Sequence, residues 1–125
     1  KEHITSPRDG ANFLMGKLRN QTHETFIAVY LDTKNRVMAV RQISEGSLTC
    51  AVVHPREVYA PAVVLHAAAI LVAHNHPSGD PRPSDEDKEL TRALSRSGDL
   101  LGIQFLDHVV IGDGRYYSFT EHHEI

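Results

Sequence analysis

Hydrophobic and polar positions alternate along this chain in two rhythms, one helical and one extended. Ser6, Pro7 and Asp9 supply an N-cap, a first-turn proline and an acid at N3, and Ala11, Leu14, Met15 and Leu18 then recur at helical spacing. This predicts a helix over 7–20. The run TFIAVYL at 25–31 is apolar and β-branched on both faces, DTKN follows as a turn, and 36–43 returns as its partner, so a buried hairpin is expected. A third strand is predicted over 47–53. His54-Pro55 opens a helical segment reaching about residue 68, in which Pro61 must either bend the helix or begin its regular part.

Residues 70–75 (ILVAHN) read as a buried strand, 77–83 as a loop without apolar side chains, and Ser84 as a helix start. Leu90, Ala93 and Leu94 form that helix's apolar stripe, with Gly98 as its expected stop. A strand over 103–111, a GDG turn and a partner strand over 115–119 close the chain. Interleaved strands and helices of this kind predict an α/β class with a mixed β-sheet covered by helices, without internal repeats or an interior linker.

Composition narrows the function. A chain of 125 residues is one domain, 1–125, with a core of ordinary size. Hydrophobic residues make up 41% and charged residues 23%, as in a folded globular protein. The net charge is −3, and the 13 Lys and Arg residues are scattered, so direct nucleic-acid binding by this domain is not expected. The single cysteine, Cys50, excludes an intrachain disulfide and any zinc site built on paired cysteines, and fits a reducing cytoplasm. The stretch 60–73 is interrupted by Pro61 and His66 and is too short to span a bilayer, so no membrane association is expected. The opening KEHITSPRDG lacks an initiator Met and an apolar signal core, and the segment is expected to be the C-terminal part of a longer chain.

The chemistry concentrates in HNHPSGDPRPSDED, residues 74–87. In an extended strand alternate side chains face one way, so His74 and His76 project together from the strand's end. Of the acids in the following helix, only Asp87 lies three residues before Leu90 and seven before Leu94, which puts it on the apolar face; Asp85 and Glu86 are expected in solvent. Two imidazoles and one carboxylate suit zinc, and three protein ligands leave the fourth position for water, as in catalytic zinc sites. The competing reading of Ser84 and Asp87 is an S-x-x-D capping box that starts a helix without any metal.

The same residues reproduce the H-x-H-x7-S-x2-D signature of the JAMM (MPN+) metalloprotease family, and the stretches VHPREVY, HNHPSGDPRPSDED and LLGIQFLDHVVIGDGRYYSF resemble its bacterial RadC subgroup. The resemblance implies a three-layer, cytidine-deaminase-like JAB/MPN fold and one zinc ion held by His74, His76 and Asp87 with a water as fourth ligand. It implies an oxyanion-supporting role for Ser84 beside its capping role. It also implies an upstream glutamate as general acid/base, for which Glu24 in HETFIAVYL stands at the expected place, with Glu45 and Glu57 as rivals. The expected reaction is attack of zinc-activated water on an amide carbonyl in an unidentified peptide or protein substrate, a peptidase or isopeptidase activity.

The rival from another class is a binding module associated with DNA repair whose metal site is structural or vestigial, with DNA contact left to another segment. A zinc deaminase is disfavoured, because the H-x-E and P-C-x-x-C elements are absent. Other residues have plainer explanations: His66 as a core or boundary residue, His122 and His123 as a solvated tail, Cys50 as inert packing, Ser78-Gly79 as loop geometry. Asp107 and His108 face opposite sides of their strand, so one of them at most is placed to hydrogen-bond a metal-binding imidazole from behind. Asn75 is expected to face away from the ligands.

Overall fold

A computed structural model describes residues 2–19, 21–45 and 53–125. The elements, in order, are α1 (Pro7–Lys17), β1 (Thr25–Leu31), β2 (Val37–Glu45), α2 (Pro55–Leu65), β3 (Ala69–Asn75), α3 (Asp85–Leu101), β4 (Gln104–Ile111) and β5 (Tyr116–Ser118). The strand expected over 47–53 lies outside the described residues except for Val53, as do Cys50 and the side chain of Glu45.

Among the described residues one five-stranded sheet, ordered β2-β1-β3-β4-β5, carries the fold. All neighbouring strands run antiparallel except β3 and β4, which are parallel and joined by α3 as the crossover. The central strands β1 and β3 are buried along their whole length, which is why their sequences are continuous apolar runs. Alternate side chains sort them into two cores. Phe26, Ala28, Tyr30, Ile70 and Val72 pack with Val58, Tyr59 and Ala62 of α2 and Leu90 and Leu94 of α3. Ile27, Val29, Leu31, Leu71 and Ala73 pack with Ala11, Leu14 and Leu18 on the α1 side. The sheet thus lies between two helical layers, giving the three-layer α/β arrangement.

Several boundaries differ from the expected ones. α1 ends at Lys17 with Leu18 as its C-cap. α2 stops at Leu65, because His66 turns into the left-handed region at φ 57°; His66 is an exposed helix cap rather than a core residue. Pro61 is accommodated inside α2. Gly98 does not end α3, which continues to Leu101 and closes on Gly102 at φ 72°. Gly98 is needed for close approach instead: a Cβ there would lie 2.5 Å from the Ile103 carbonyl oxygen and 2.7 Å from the Tyr59 hydroxyl. The C-terminal tail is partly packed, with the His122 ring stacked on Tyr117 at 4.0 Å.

A β-bulge decides what β4 presents to each core. Ile70 pairs with Phe105, but the next residue, Leu71, pairs with Asp107, so Leu106 is the extra residue. Before the bulge Phe105 faces the α2/α3 core. Strict alternation would send Asp107 to the same side. The bulge reverses the phase, so that Asp107 joins Leu106 on the α1 side and His108 turns toward α3.

Candidate metal centre

β3 delivers His74 as its next-to-last residue, on the α2/α3 face opposite Phe26, whose ring stacks on it with centroids 5.8 Å apart. His76 follows just past the strand end, held by its backbone N–H donating to the Ile111 carbonyl at 2.8 Å. The loop then turns, with Gly79 at φ 90°, and returns through Ser84, the N-cap of α3. Asp87 sits in the first turn of α3 and is 3% exposed, as its place on the apolar stripe predicts; Asp85 and Glu86 are exposed.

These elements bring three donor groups together. His74 Nε2 and His76 Nε2 are 3.1 Å apart. Asp87 Oδ1 lies 3.2 Å from His74 Nε2, and Asp87 Oδ2 lies 3.5 Å from His76 Nε2. Donors bound at about 2.1 Å to one tetrahedral ion stand about 3.3 to 3.4 Å from each other, close to the separations of His74 Nε2 from His76 Nε2 and from Asp87 Oδ1. His76 Nδ1 faces the Asp80 carbonyl oxygen at 2.9 Å. A carbonyl only accepts, so that nitrogen carries the proton and Nε2 presents a lone pair to its neighbours. Ring nitrogens and a carboxylate converging in this way need a cation among them, a proton or a metal ion. The residues present therefore fit a divalent ion.

The electrostatics agree. The Asp87 carboxylate raises the pKa of His76 above its ordinary value, against the opposing effect of burial. Burial works against ionisation of Asp87, yet its contacts with His74 and His76 hold its carboxyl well below the usual carboxylate range. His108, fully buried, is pushed down to about 3 by desolvation and by its neighbour His74.

Ser84 and Asp87 form a complete capping box: the Ser84 N–H donates to Asp87 Oδ2 at 2.8 Å, and the Asp87 N–H donates to Ser84 Oγ at 3.1 Å. The capping and ligand readings of Asp87 are therefore compatible, because its two oxygens divide the work. Glu24 stands at the rim of the same groove as Ser84 and Asp87, half-buried, with a carboxylate oxygen, His74 and His76 donor atoms all within 4.8 Å of one another. Of its rivals, Glu57 is exposed in the first turn of α2, where the helix dipole accounts for it.

Three further connections surround these donors, and one of them, from His108, is the contact from behind that was expected of either Asp107 or His108. Asn75 does face away from the imidazoles, but its buried amide holds the segment that carries Glu24: Oδ1 accepts from the Thr25 N–H at 2.8 Å and Nδ2 donates to the His23 carbonyl at 3.1 Å. His108 Nε2 lies 3.0 Å from His74 Nδ1, directly behind the first imidazole. Thr91 Oγ1 lies 2.7 Å from His108 Nδ1 and 2.8 Å from the Asp87 carbonyl oxygen. The Thr91 contact also left a trace in the sequence, since Thr91 is four residues after Asp87, on the same helical face.

A family model described as RadC-like JAB domain matches residues 4–124. A UPF0758 protein of Trichlorobacter lovleyi is 53% identical over 120 residues, covering 96% of this chain and 52% of that protein. The UPF0758 protein YsxA of Bacillus subtilis is 50% identical over 123 residues, covering 97% of this chain and 53% of its own. One from Methanosarcina mazei is 48% identical over 121 residues, with 97% and 53% covered. The chain thus spans about half the length of the curated relatives it matches.

Proposed function

This chain belongs to the RadC-like JAB domain family, and from that premise we propose that it is a zinc-dependent hydrolase that cleaves an amide bond in a peptide or isopeptide substrate. The observation that carries the reading is the convergence of donors on His74 Nε2, with His76 Nε2 3.1 Å away and Asp87 Oδ1 3.2 Å away. Bound there, a zinc ion would supply an acidic water and polarise a carbonyl oxygen. The chain's own residues do the rest.

His76 is aimed by the Asp80 carbonyl, and Asp87 by the Ser84 N–H, so both reach the centre with little freedom left to lose. Glu24 faces the histidines from the rim, where its carboxylate takes a proton from the attacking water and returns it to the leaving amine. Ser84 Oγ accepts from the Asp87 N–H with a lone pair, which leaves its hydroxyl proton to donate to the oxyanion developing in the groove. The groove, about 380 Å³, is open on one side, with the Phe26 ring and Val53 as its apolar wall. That shape suits an extended chain laid across the site rather than a small molecule enclosed by it.

Metal analysis of the purified protein tests the reading. One equivalent of zinc, lost in both His74→Ala and Asp87→Ala, together with chelator-sensitive cleavage of a peptide or isopeptide library, is the expected result. A protein that binds no zinc, or one in which Glu24→Gln leaves cleavage of an identified substrate unchanged, overturns it. No helix among the described residues is long and apolar enough to cross a membrane.

A further inference from the structure

For His74 to hold a metal through Nε2, its proton must sit on Nδ1, and something behind the ring must keep it there. The contact behind it is His108 Nε2 at 3.0 Å. A second imidazole is an ambiguous partner, because either of its nitrogens can carry the proton. The direction has to be set further back.

It is set at a backbone carbonyl. Thr91 Oγ1 reaches two groups, the Asp87 carbonyl oxygen at 2.8 Å and His108 Nδ1 at 2.7 Å, with a single proton to give. The carbonyl only accepts, so the hydroxyl proton goes there, and the contact with His108 is made by an N–H on Nδ1. His108 Nε2 is then bare and accepts from His74 Nδ1–H, which leaves His74 Nε2 with a lone pair facing Asp87 Oδ1 and His76 Nε2. Reversing the chain would leave the contact between Thr91 and Asp87 without a proton. It would also put a proton on His74 Nε2, in the place of the metal.

We propose that Thr91 and His108 are positioning residues of the metal centre, a one-way hydrogen-bond relay from the Asp87 backbone carbonyl that fixes the metal-binding tautomer of His74. The relay closes on itself, since Asp87 anchors one end through its carbonyl and meets the other through Oδ1. His108 is held rigidly in its place, being fully buried, with its ring stacked on Phe119 at a centroid distance of 5.0 Å and edge-on to Phe26 at 5.8 Å. The β4 bulge is what turns it to this side of the sheet. The inference rests on the reading of His74 as a ligand.

Two measurements test it. Long-range ¹⁵N–¹H correlation spectra of the histidine-labelled protein, with and without zinc, should show His108 protonated on Nδ1; an Nε2–H tautomer overturns the relay. Thr91→Val, which keeps the shape and removes the hydroxyl, should weaken zinc binding 10- to 100-fold in a chelator competition and move His108 toward the Nε2–H form. Thr91→Ser should restore both. A Thr91→Val protein with wild-type zinc affinity and an unmoved His108 tautomer sinks the proposal. If the wild-type protein takes up no zinc, the metal-centre reading fails by itself, and the His108 tautomer in the metal-free protein still decides the relay.

Discussion

The Ser84 N–H donates to Oδ2 of Asp87 at 2.8 Å, which leaves Oδ1 of the same carboxylate 3.2 Å from His74 Nε2. One acid therefore starts a helix and faces the histidines at once. The helix cap fixes where the carboxylate sits before any ion arrives, so part of the ordering cost of the centre is met by folding.

Ser84→Ala separates the two halves of that arrangement. It removes the acceptor of the Asp87 N–H but not the backbone donor to Oδ2. The expected loss is about 1 kcal/mol of stability, visible as a lower melting temperature, with zinc affinity within threefold of wild type. On an identified substrate, loss of the hydroxyl should lower kcat by about 100-fold through the missing oxyanion donor.

Asp87→Asn tests the electrostatics in the metal-free protein. The carboxylate raises the pKa of His76, so NMR titration of wild type should place it above 6.5, and the variant should bring it back toward 6.5. The sign follows from linkage: a raised imidazole pKa contributes stability that is fully present below 6.5 and is lost as pH rises through the folded-state value. Zinc competes for the same lone pair, so its apparent affinity in wild type should fall as pH drops below that value, by about tenfold per pH unit for each proton released.

Asn75→Ala should loosen Glu24 without touching the ligands. The Thr25 N–H loses the Asn75 oxygen, and the His23 carbonyl loses the Asn75 amide and keeps only the longer contact from the Thr25 hydroxyl at 3.3 Å. The expected cost is about 2 kcal/mol in a denaturant titration, with zinc content unchanged and amide cleavage reduced. Loss of zinc in this variant would show that Asn75 holds the histidines rather than Glu24.

Gly98→Ala should destabilise despite alanine's better helix propensity. The added methyl would meet the Ile103 carbonyl and the Tyr59 hydroxyl, which itself donates to Leu94 O at 2.7 Å. Overpacking of this kind costs about 1 to 3 kcal/mol, more than the roughly 1 kcal/mol that alanine gains over glycine in a helix interior. A melting temperature equal to or above wild type would show that α2 and α3 can separate to admit it.

Gly98 also shows where local reading stops. A glycine late in an amphipathic run is a reasonable helix stop, and its sequence does not distinguish it from one kept small by its neighbours; the crowding comes from the Ile103 carbonyl just past the helix and from Tyr59 in another helix. His66 shows the same limit: a histidine among apolar residues reads as a core or boundary position, and the fold excludes the core half of that reading, because the chain needs a left-handed residue to leave α2 and His66 takes that conformation in solvent.

What the sequence determined by itself was set by short periods. The spacing of two at the end of β3 puts His74 and His76, just past it, on one side, and the 3.6-residue repeat of α3 turns Asp87 inward with Leu90 and Leu94, because both periods are properties of the backbone over a few residues. The tertiary structure alone decided the rest. Strand register brings His23 and Thr25 against Asn75 across the sheet, and so carries Glu24 to the histidines. One extra residue at Leu106 reverses the phase of β4, sending Asp107 to one core and His108 to the other. Register and bulges are agreements between strands distant in sequence, and a single strand carries no record of which partner it will meet.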